Sequence, residues 1–413
     1  MSMGWRPLLT GPTREEALEC ATALIRSMPA PRATDQRGAS LAAGSAGFAV
    51  CHAVAAQVLA DEQAAGLATA CLDRAVEIMA SLPLSMSLYA GFTGIAWSAG
   101  LVDRLLPGGV EDRNDEIDLA LARAVPRYPQ DGPYDLIDGL AGIGVYALAR
   151  WPRPAAADCL AGVLERLAGR ARSEADGAYL WTGESGLAGR RAQSYPTGGV
   201  DLGVAHGMAG LLPLLARAWA LGVGGPAVRA LLDDAVRWLT ARLIGSPAGT
   251  TIPSFVARDV EPAPARTAWC YGNPGVAIAL LLAARDAAEP GWERTGTDLA
   301  ISAARRPPGL TGVTGAGVCH GTAGLAHLFN RLYQMTGEAE LAAAAVFWME
   351  RTLAACARAL TADGGPAPWN GPGLLEGAAG VALVLLAGCV PAEPVWDQML
   401  LVSTGLDVIV SAP

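Results

Sequence analysis

Eight cysteines and four histidines are the whole supply of soft metal ligands and near-neutral acid–base groups in this 413-residue sequence. Three of them form a set. Cys270, Cys319 and His320 offer two thiolates and an imidazole, the donors that zinc prefers. Three protein ligands leave a fourth position open, which is the pattern of a catalytic zinc rather than a structural one. Cys319 and His320 are adjacent, whereas Cys270 lies 49 residues earlier. That spacing matches no local zinc finger, so the set exists only if the fold joins two distant segments. Otherwise the same residues read as buried thiols and a core histidine.

Other candidates lie around this set. His206, in Val204-Ala205-His206-Gly207, titrates near neutral pH and suits a general acid or base. Its plainer reading is a helix-start histidine bonded to a backbone group. Arg266, four residues before Cys270, could clamp developing negative charge, although most arginines are solvated surface charges. Asp135 and Asp138, in Tyr134-Asp135-Leu136-Ile137-Asp138-Gly139, could orient a base or bind substrate. Asp is equally at home as a helix N-cap. Trp269 and Tyr271 flank Cys270 and stand apart from the other aromatic residues, which are expected in the core. His52 and His327 lie in apolar helical runs and read as structural. Cys20, Cys51, Cys71, Cys159, Cys356 and Cys389 read as core thiols.

A repeat supplies the elements that must position these residues. Gly-x-x-Gly followed by an apolar helix-forming run occurs at 44–47, 91–94, 139–142, 207–210, 272–275, 321–324 and 377–380. Successive starts are 47, 48, 68, 65, 49 and 56 residues apart. Between the elements run more charged helical patterns, at 13–28, 64–80, 111–128, 155–173, 226–245, 292–306 and 338–360. The runs after the glycines, such as 276–284 and 381–387, are apolar all round, which marks buried helices, while amphipathic helices lie outside. Each repeat therefore reads as an outer helix, a loop and an inner helix. Seven such hairpins could stack as an open solenoid or close into a ring. Buried inner helices favour the ring, so the expectation is an all-α fold. It is an α/α toroid with seven inner helices inside an outer ring, in a single domain over 1–413. The Pro/Gly-rich stretches at 246–265, 306–317 and 362–373 read as loops over one rim.

In such a ring the residues before each first glycine share one place. Immediately before it stand Ala43, Ala90, Asp138, His206, Tyr271, His320 and Glu376. One residue earlier stand Ala42, Tyr89, Ile137, Ala205, Cys270, Cys319 and Leu375. Both ligand cysteines fall in one column, and two histidines fall in the other.

Composition excludes several chemistries. All 30 basic residues are arginine, so a Schiff-base, Walker-type or kinase-type lysine is ruled out. A net charge of −9 and a pI near 5.1 argue against nucleic-acid binding. No secretory signal is visible at the start. The uncharged stretches 38–60 and 78–102 contain Gly, Ser and, in the second, Pro83. They read as buried helices rather than membrane spans. With no export signal, a reduced cytoplasmic protein is expected.

Trp269-Cys270-Tyr271-Gly272-Asn273-Pro274-Gly275, Cys319-His320-Gly321-Thr322-Ala323-Gly324 and Ala205-His206-Gly207-Met208-Ala209-Gly210 resemble the LanC family of lanthipeptide cyclases. Leu375-Glu376-Gly377-Ala378-Ala379-Gly380 is similar to that family's last repeat. The resemblance runs from Gly44 to Ala387 and implies a seven-hairpin α/α toroid. It implies that Cys270, Cys319 and His320 bind one zinc ion per chain. It also implies that His206 and Asp135 are active-site residues, with Arg266, Trp269 and Tyr271 in the pocket. The repeat register favours Asp138 and the family motif favours Asp135; Asp138 and Glu376 are kept as substrate-side candidates. The implied reaction is the addition of a peptide cysteine to dehydroalanine or dehydrobutyrine, giving a lanthionine or methyllanthionine ring. Arg266 would stabilise the enolate, and His206 would move the proton. The implied partners are a dehydrated precursor peptide, with leader and core, and a dehydratase and transporter in a biosynthetic complex. Some family members carry an extra module in the N-terminal half, for which the spacing of the first three repeats leaves no room.

Three alternatives stand beside this reading. A LanC-like enzyme would add glutathione or another thiol to dehydroamino acids. A non-catalytic scaffold would hold dehydratase and transporter around the precursor, with structural zinc. A zinc prenyltransferase would use six hairpins and an Asp-Cys-His set, against which seven repeats and Cys-Cys-His count.

Overall fold

The structure is a computed structural model that describes residues 4–29, 34–106, 112–183, 186–187, 189–246, 249–258, 260–360 and 367–403. The helices run α1 (Gly11–Arg26), α2 (Gln36–Ala39), α3 (Ser45–Leu59), α4 (Glu62–Ser81), α5 (Phe92–Leu105), α6 (Asp115–Ala124), α7 (Leu140–Ala149) and α8 (Pro154–Ala168). They continue with α9 (Gly189–Ser194), α10 (Met208–Ala220), α11 (Gly225–Thr240), α12 (Asn273–Ala287), α13 (Pro290–Arg305), α14 (Thr322–Thr336), α15 (Ala339–Leu360) and α16 (Ala378–Cys389). The short strands are β1 (Arg172–Glu174), β2 (Gly177–Tyr179), β3 (Val200–Asp201), β4 (Ile244–Ser246), β5 (Gly249–Thr251) and β6 (Phe255–Val256).

Among the described residues, all seven Gly-x-x-Gly elements open a helix: α3, α5, α7, α10, α12, α14 and α16. Every residue of α16 is buried, as its uniformly apolar sequence requires. The helices between are amphipathic. In α11, Val228, Leu231, Leu232, Ala235, Val236 and Leu239 face inward, the spacing of one helical stripe. Each fully buried Val or Leu there is worth roughly 1.5–3 kcal/mol. The turns joining buried to outer helices are tight: Ala60 takes the left-handed conformation after α3, and the Asp61 carboxylate then accepts the Ala64 N–H at 3.1 Å to start α4.

The glycines are needed because the preceding loop folds back over each helix start. A Cβ on Gly94 would sit 1.8 Å from the Leu88 carbonyl oxygen. Gly272 adds a φ of 104° to a Cβ position 1.8 Å from the Arg266 carbonyl oxygen, so only glycine fits there.

The chain falls into two compact units, Met1–Asn114 with Gly312–Trp396, and Asp115–Thr311 with Asp397–Pro413. In the first, the buried helices pack in the order α14, α16, α3, α5. The last repeat therefore rests on the first. Leu8 and Leu9 donate their N–H groups to the Gly388 carbonyl at 3.1 and 3.0 Å, and the buried Trp5 donates its indole N–H to Ala387 at 2.8 Å. The loops before these helices form a backbone ladder. Cys319 N–H donates to Leu375 O, Leu375 N–H to Ala42 O, and Ala42 N–H to Tyr89 O, each at 3.0 Å. All four residues stand two before a repeat glycine.

In the second unit α7, α10 and α12 pack side by side, with α6, α8, α11 and α13 against them. Here two expectations need correction. The helices expected at 155–173 and 226–245 stop at Ala168 and Thr240. Their tails instead enter the β1–β2 and β4–β5 hairpins, and β3 pairs with β6. The stretch 246–265, expected as loop, thus includes β5 and β6. The start of the charged pattern at 111 and residues 362–366 of the last Pro/Gly-rich stretch lie outside the described residues. No described helix is long and apolar enough to cross a membrane, and 38–60 and 78–102 hold the buried helices α3 and α5.

Candidate functional site

Two loops of the second unit meet at Asp135 and His206. Before α7 the chain makes a single turn in which Gly139 N–H returns to the Asp135 carbonyl at 3.2 Å. The Asp135 side chain closes that turn, with Oδ1 accepting the Asp138 N–H at 2.7 Å. Its Oδ2 is then aimed at His206 Nδ1, 2.7 Å away. A carboxylate only accepts, so the imidazole proton sits on Nδ1 and Nε2 is the working nitrogen. Burial pushes the His206 pKa down, but the hydrogen bond and charge of Asp135, reinforced by Asp201 and Asp138, outweigh it. The net result lies above the usual histidine value. Asp138 stands at the same turn; partial desolvation of its carboxyl and the charge of Asp135 push its pKa up, while His206 opposes them.

Asp201 is a residue the repeat pattern did not single out. It sits on β3, 1% exposed. One oxygen accepts the Gly203 N–H at 2.8 Å, and the other accepts the Tyr271 hydroxyl at 2.9 Å. The loops of neighbouring repeats are further stitched by Val204 N–H donating to Cys270 O at 3.1 Å. Asp135, Asp138, Asp201, His206 and Tyr271 all line one cavity of about 470 Å³, a volume within the roughly 300–1,000 Å³ range of ligand sites. Its one sequence signal is position: Asp201 stands six before Gly207, where the fold-back carbonyl must be.

The remaining candidates are placed as follows. Cys270 is buried in the second unit. Trp269 beside it is 1% exposed and donates its indole N–H to Leu400 O at 2.8 Å. Arg266 is exposed. In the first unit, Cys319 is partly buried, its register set by the ladder to Leu375. His320 Nδ1 lies 3.9 Å from Glu376 Oε1, and Glu376 in turn accepts from Asn370 Nδ2 at 3.3 Å. The donor atoms of Asp135, Asp138 and His206 also lie within 4.8 Å of one another, near enough for an ion. Both Asp135 oxygens are already engaged, however, so this group reads as an acid–base pair.

Comparison with known proteins gives the family. A family model described as "Lanthionine synthetase C-like protein" matches residues 35–401. Among solved structures, one titled "Nisin cyclase" aligns with a TM-score of 0.75 at 20% identity, covering 97% of this chain and 98% of that one. At this identity the likeness speaks to fold, and the fold is the α/α toroid of helical hairpins expected from the repeats. With nearly the whole chain matched, the protein belongs to the lanthionine synthetase C-like family.

Proposed function

We propose that the protein is a lanthipeptide cyclase, closing thioether rings in a dehydrated precursor peptide. A peptide cysteine thiol adds across the double bond of a dehydroalanine or dehydrobutyrine. One sulfur–carbon bond forms at the β-carbon, the thiol proton is balanced by one taken up at the α-carbon, and the mass does not change. The observation that carries this reading is the Asp135–His206 pair opening on a cavity, in a chain of this family. The peptide substrate is supported by the name of the solved relative, Nisin cyclase.

The donor set of Cys270, Cys319 and His320 fits one zinc ion, with two thiolates, one imidazole and one open position. Bound there, zinc would lower a thiol pKa from about 8.5 and keep the sulfur as a thiolate. Glu376, within ion-pair reach of His320 Nδ1, would orient that ring, as carboxylates behind metal-bound histidines do. His206, held at Nδ1, would deliver a proton from Nε2 to the α-carbon; its raised pKa favours the imidazolium. Arg266 would supply fixed positive charge for the enolate. Tyr271, tied to Asp201, would shape the cavity wall. The substrate's unsaturated residues call for a dehydratase acting first, with a transporter taking the product. Eight free cysteines and a thiol substrate suit the reducing cytoplasm.

The test is incubation with a dehydrated precursor, then thiol alkylation and mass measurement. Ring closure leaves the mass unchanged and the thiols protected. Addition of an external thiol raises the mass, and full alkylation without addition rejects the reading.

A further inference from the structure

A second cleft, of about 570 Å³, opens on the same unit. The β1–β2 hairpin, the β3–β6 pair and the end of α11 form its walls. Its floor is aromatic: the Tyr179 ring stacks on the buried Trp238 with ring centres 4.9 Å apart. Arginines stand over the rings. Arg242 lies 4.0 Å from the Trp238 ring centre and Arg172 lies 5.1 Å from that of Trp181. Arg258 is exposed on the rim. Glu174 lines the cleft and hydrogen-bonds Trp238 and Arg242, at 3.2 and 3.0 Å. Arg242 is matched by Glu174 and by Asp176, so Arg172 and Arg258 carry the positive charge of this cleft, on a chain whose net charge is −9.

The cleft adjoins the site already described. Trp181 lines both the cleft and the His206 cavity. On β3, Val200 lines the cleft and Asp201 lines the cavity, because successive strand residues point to opposite faces. The two hollows therefore share a wall one strand thick.

We propose that this cleft binds an extended, acidic stretch of the precursor peptide that is not itself cyclised, holding the substrate while its remainder reaches His206. The proposal rests on the peptide-substrate reading above. Arg242 is held over Trp238 by Glu174 and Asp176, while the guanidinium forks of Arg172 and Arg258 suit paired hydrogen bonds to carboxylates. The aromatic floor takes apolar side chains between the acids. Arg172 and Arg258 are exposed, so they are the groups a peptide meets first.

The experiment uses the full chain and a short fluorescein-labelled peptide alternating Glu and Leu, with Gln and Lys counterparts. Anisotropy should show the Glu peptide binding at least roughly tenfold more tightly than the Lys peptide, with affinity falling as salt rises. The Arg172→Glu, Arg258→Glu double variant should lose or invert that preference, and the paired Arg→Lys variant should keep its sign. In the cyclisation assay the double reversal should raise KM for a dehydrated precursor severalfold and leave kcat unchanged. Equal binding of the Glu and Lys peptides, a preference that survives the reversal, or an unchanged KM overturns the cleft alone. A wild-type chain that binds the Glu peptide through these arginines but closes no rings overturns the cyclase reading, and with it the identity of the peptide as a precursor.

Discussion

Asp135 holds His206 Nδ1 with one carboxylate oxygen and its own loop, through the Asp138 N–H, with the other, both at 2.7 Å. A carboxylate clamped this way cannot swing away from the imidazole. Asp135→Asn keeps the shape and removes the charge, so kcat for ring closure should fall on the order of 10²-fold or more. The His206 pKa should move down, because the group that raises it is gone. The linkage has a definite sign. A raised folded-state pKa contributes stability in full below the unfolded value of about 6.5 and loses it as pH rises through the folded value. Imidazole NMR titration of both proteins checks this, and an unmoved His206 curve would disprove the coupling.

Tyr271→Phe should destabilise the fold and slow ring closure together. Asp201 is buried and would lose the Tyr271 hydroxyl that its Oδ2 accepts at 2.9 Å. Losing one hydrogen bond to a buried charged group costs roughly 1.5–3 kcal/mol. Denaturant melts give the stability change, and a variant as stable as wild type would show that the Tyr271–Asp201 bond carries no net energy.

Zinc content should depend on three side chains. Cys270→Ala, Cys319→Ala and His320→Ala should each bind substoichiometric zinc while keeping the helical circular dichroism of wild type. The ladder that sets the Cys319 register is backbone to backbone and survives the loss of sulfur. Near-stoichiometric zinc in all three folded variants would remove the proposed metal site.

His52 should make the protein acid-sensitive. It is 3% exposed, Nδ1 has no hydrogen-bond partner among the described residues, and burial, partly opposed by Asp61, lowers its pKa to about 4. The unfolded chain takes up a proton near pH 6.5 and the folded one does not. Stability is therefore full above that pH and falls as pH drops to about 4, by on the order of 3 kcal/mol. Below that it levels off. His52→Leu should flatten the profile in denaturant melts between these limits, and an unchanged slope would place the sensitivity elsewhere.

Much of this architecture could be read from glycine spacing alone. Gly94 and Gly272 are glycines because a carbonyl oxygen occupies the space of a side chain, and that constraint repeats with every hairpin. The columns before the glycines single out Cys319 and His206 because a repeated turn puts the same backbone position at the same place. The β hairpins were invisible for the opposite reason: strands of two or three residues such as Arg172–Glu174 are too short to show a period. Asp201 escaped because it stands outside both columns.

The packing of α16 on α3, and of the Leu8–Leu9 segment on Gly388, has a consequence for synthesis. Helix α16, which covers α3, leaves the ribosome only after residues 60–377 have been made. At roughly 5–20 residues per second, the apolar flank of α3 waits tens of seconds for it. Through that interval the nascent chain presents sticky helical surface with no native cover. The first unit can close only after translation has passed residue 389, so demand for chaperones during expression should centre on the early repeats, however stable the finished protein is.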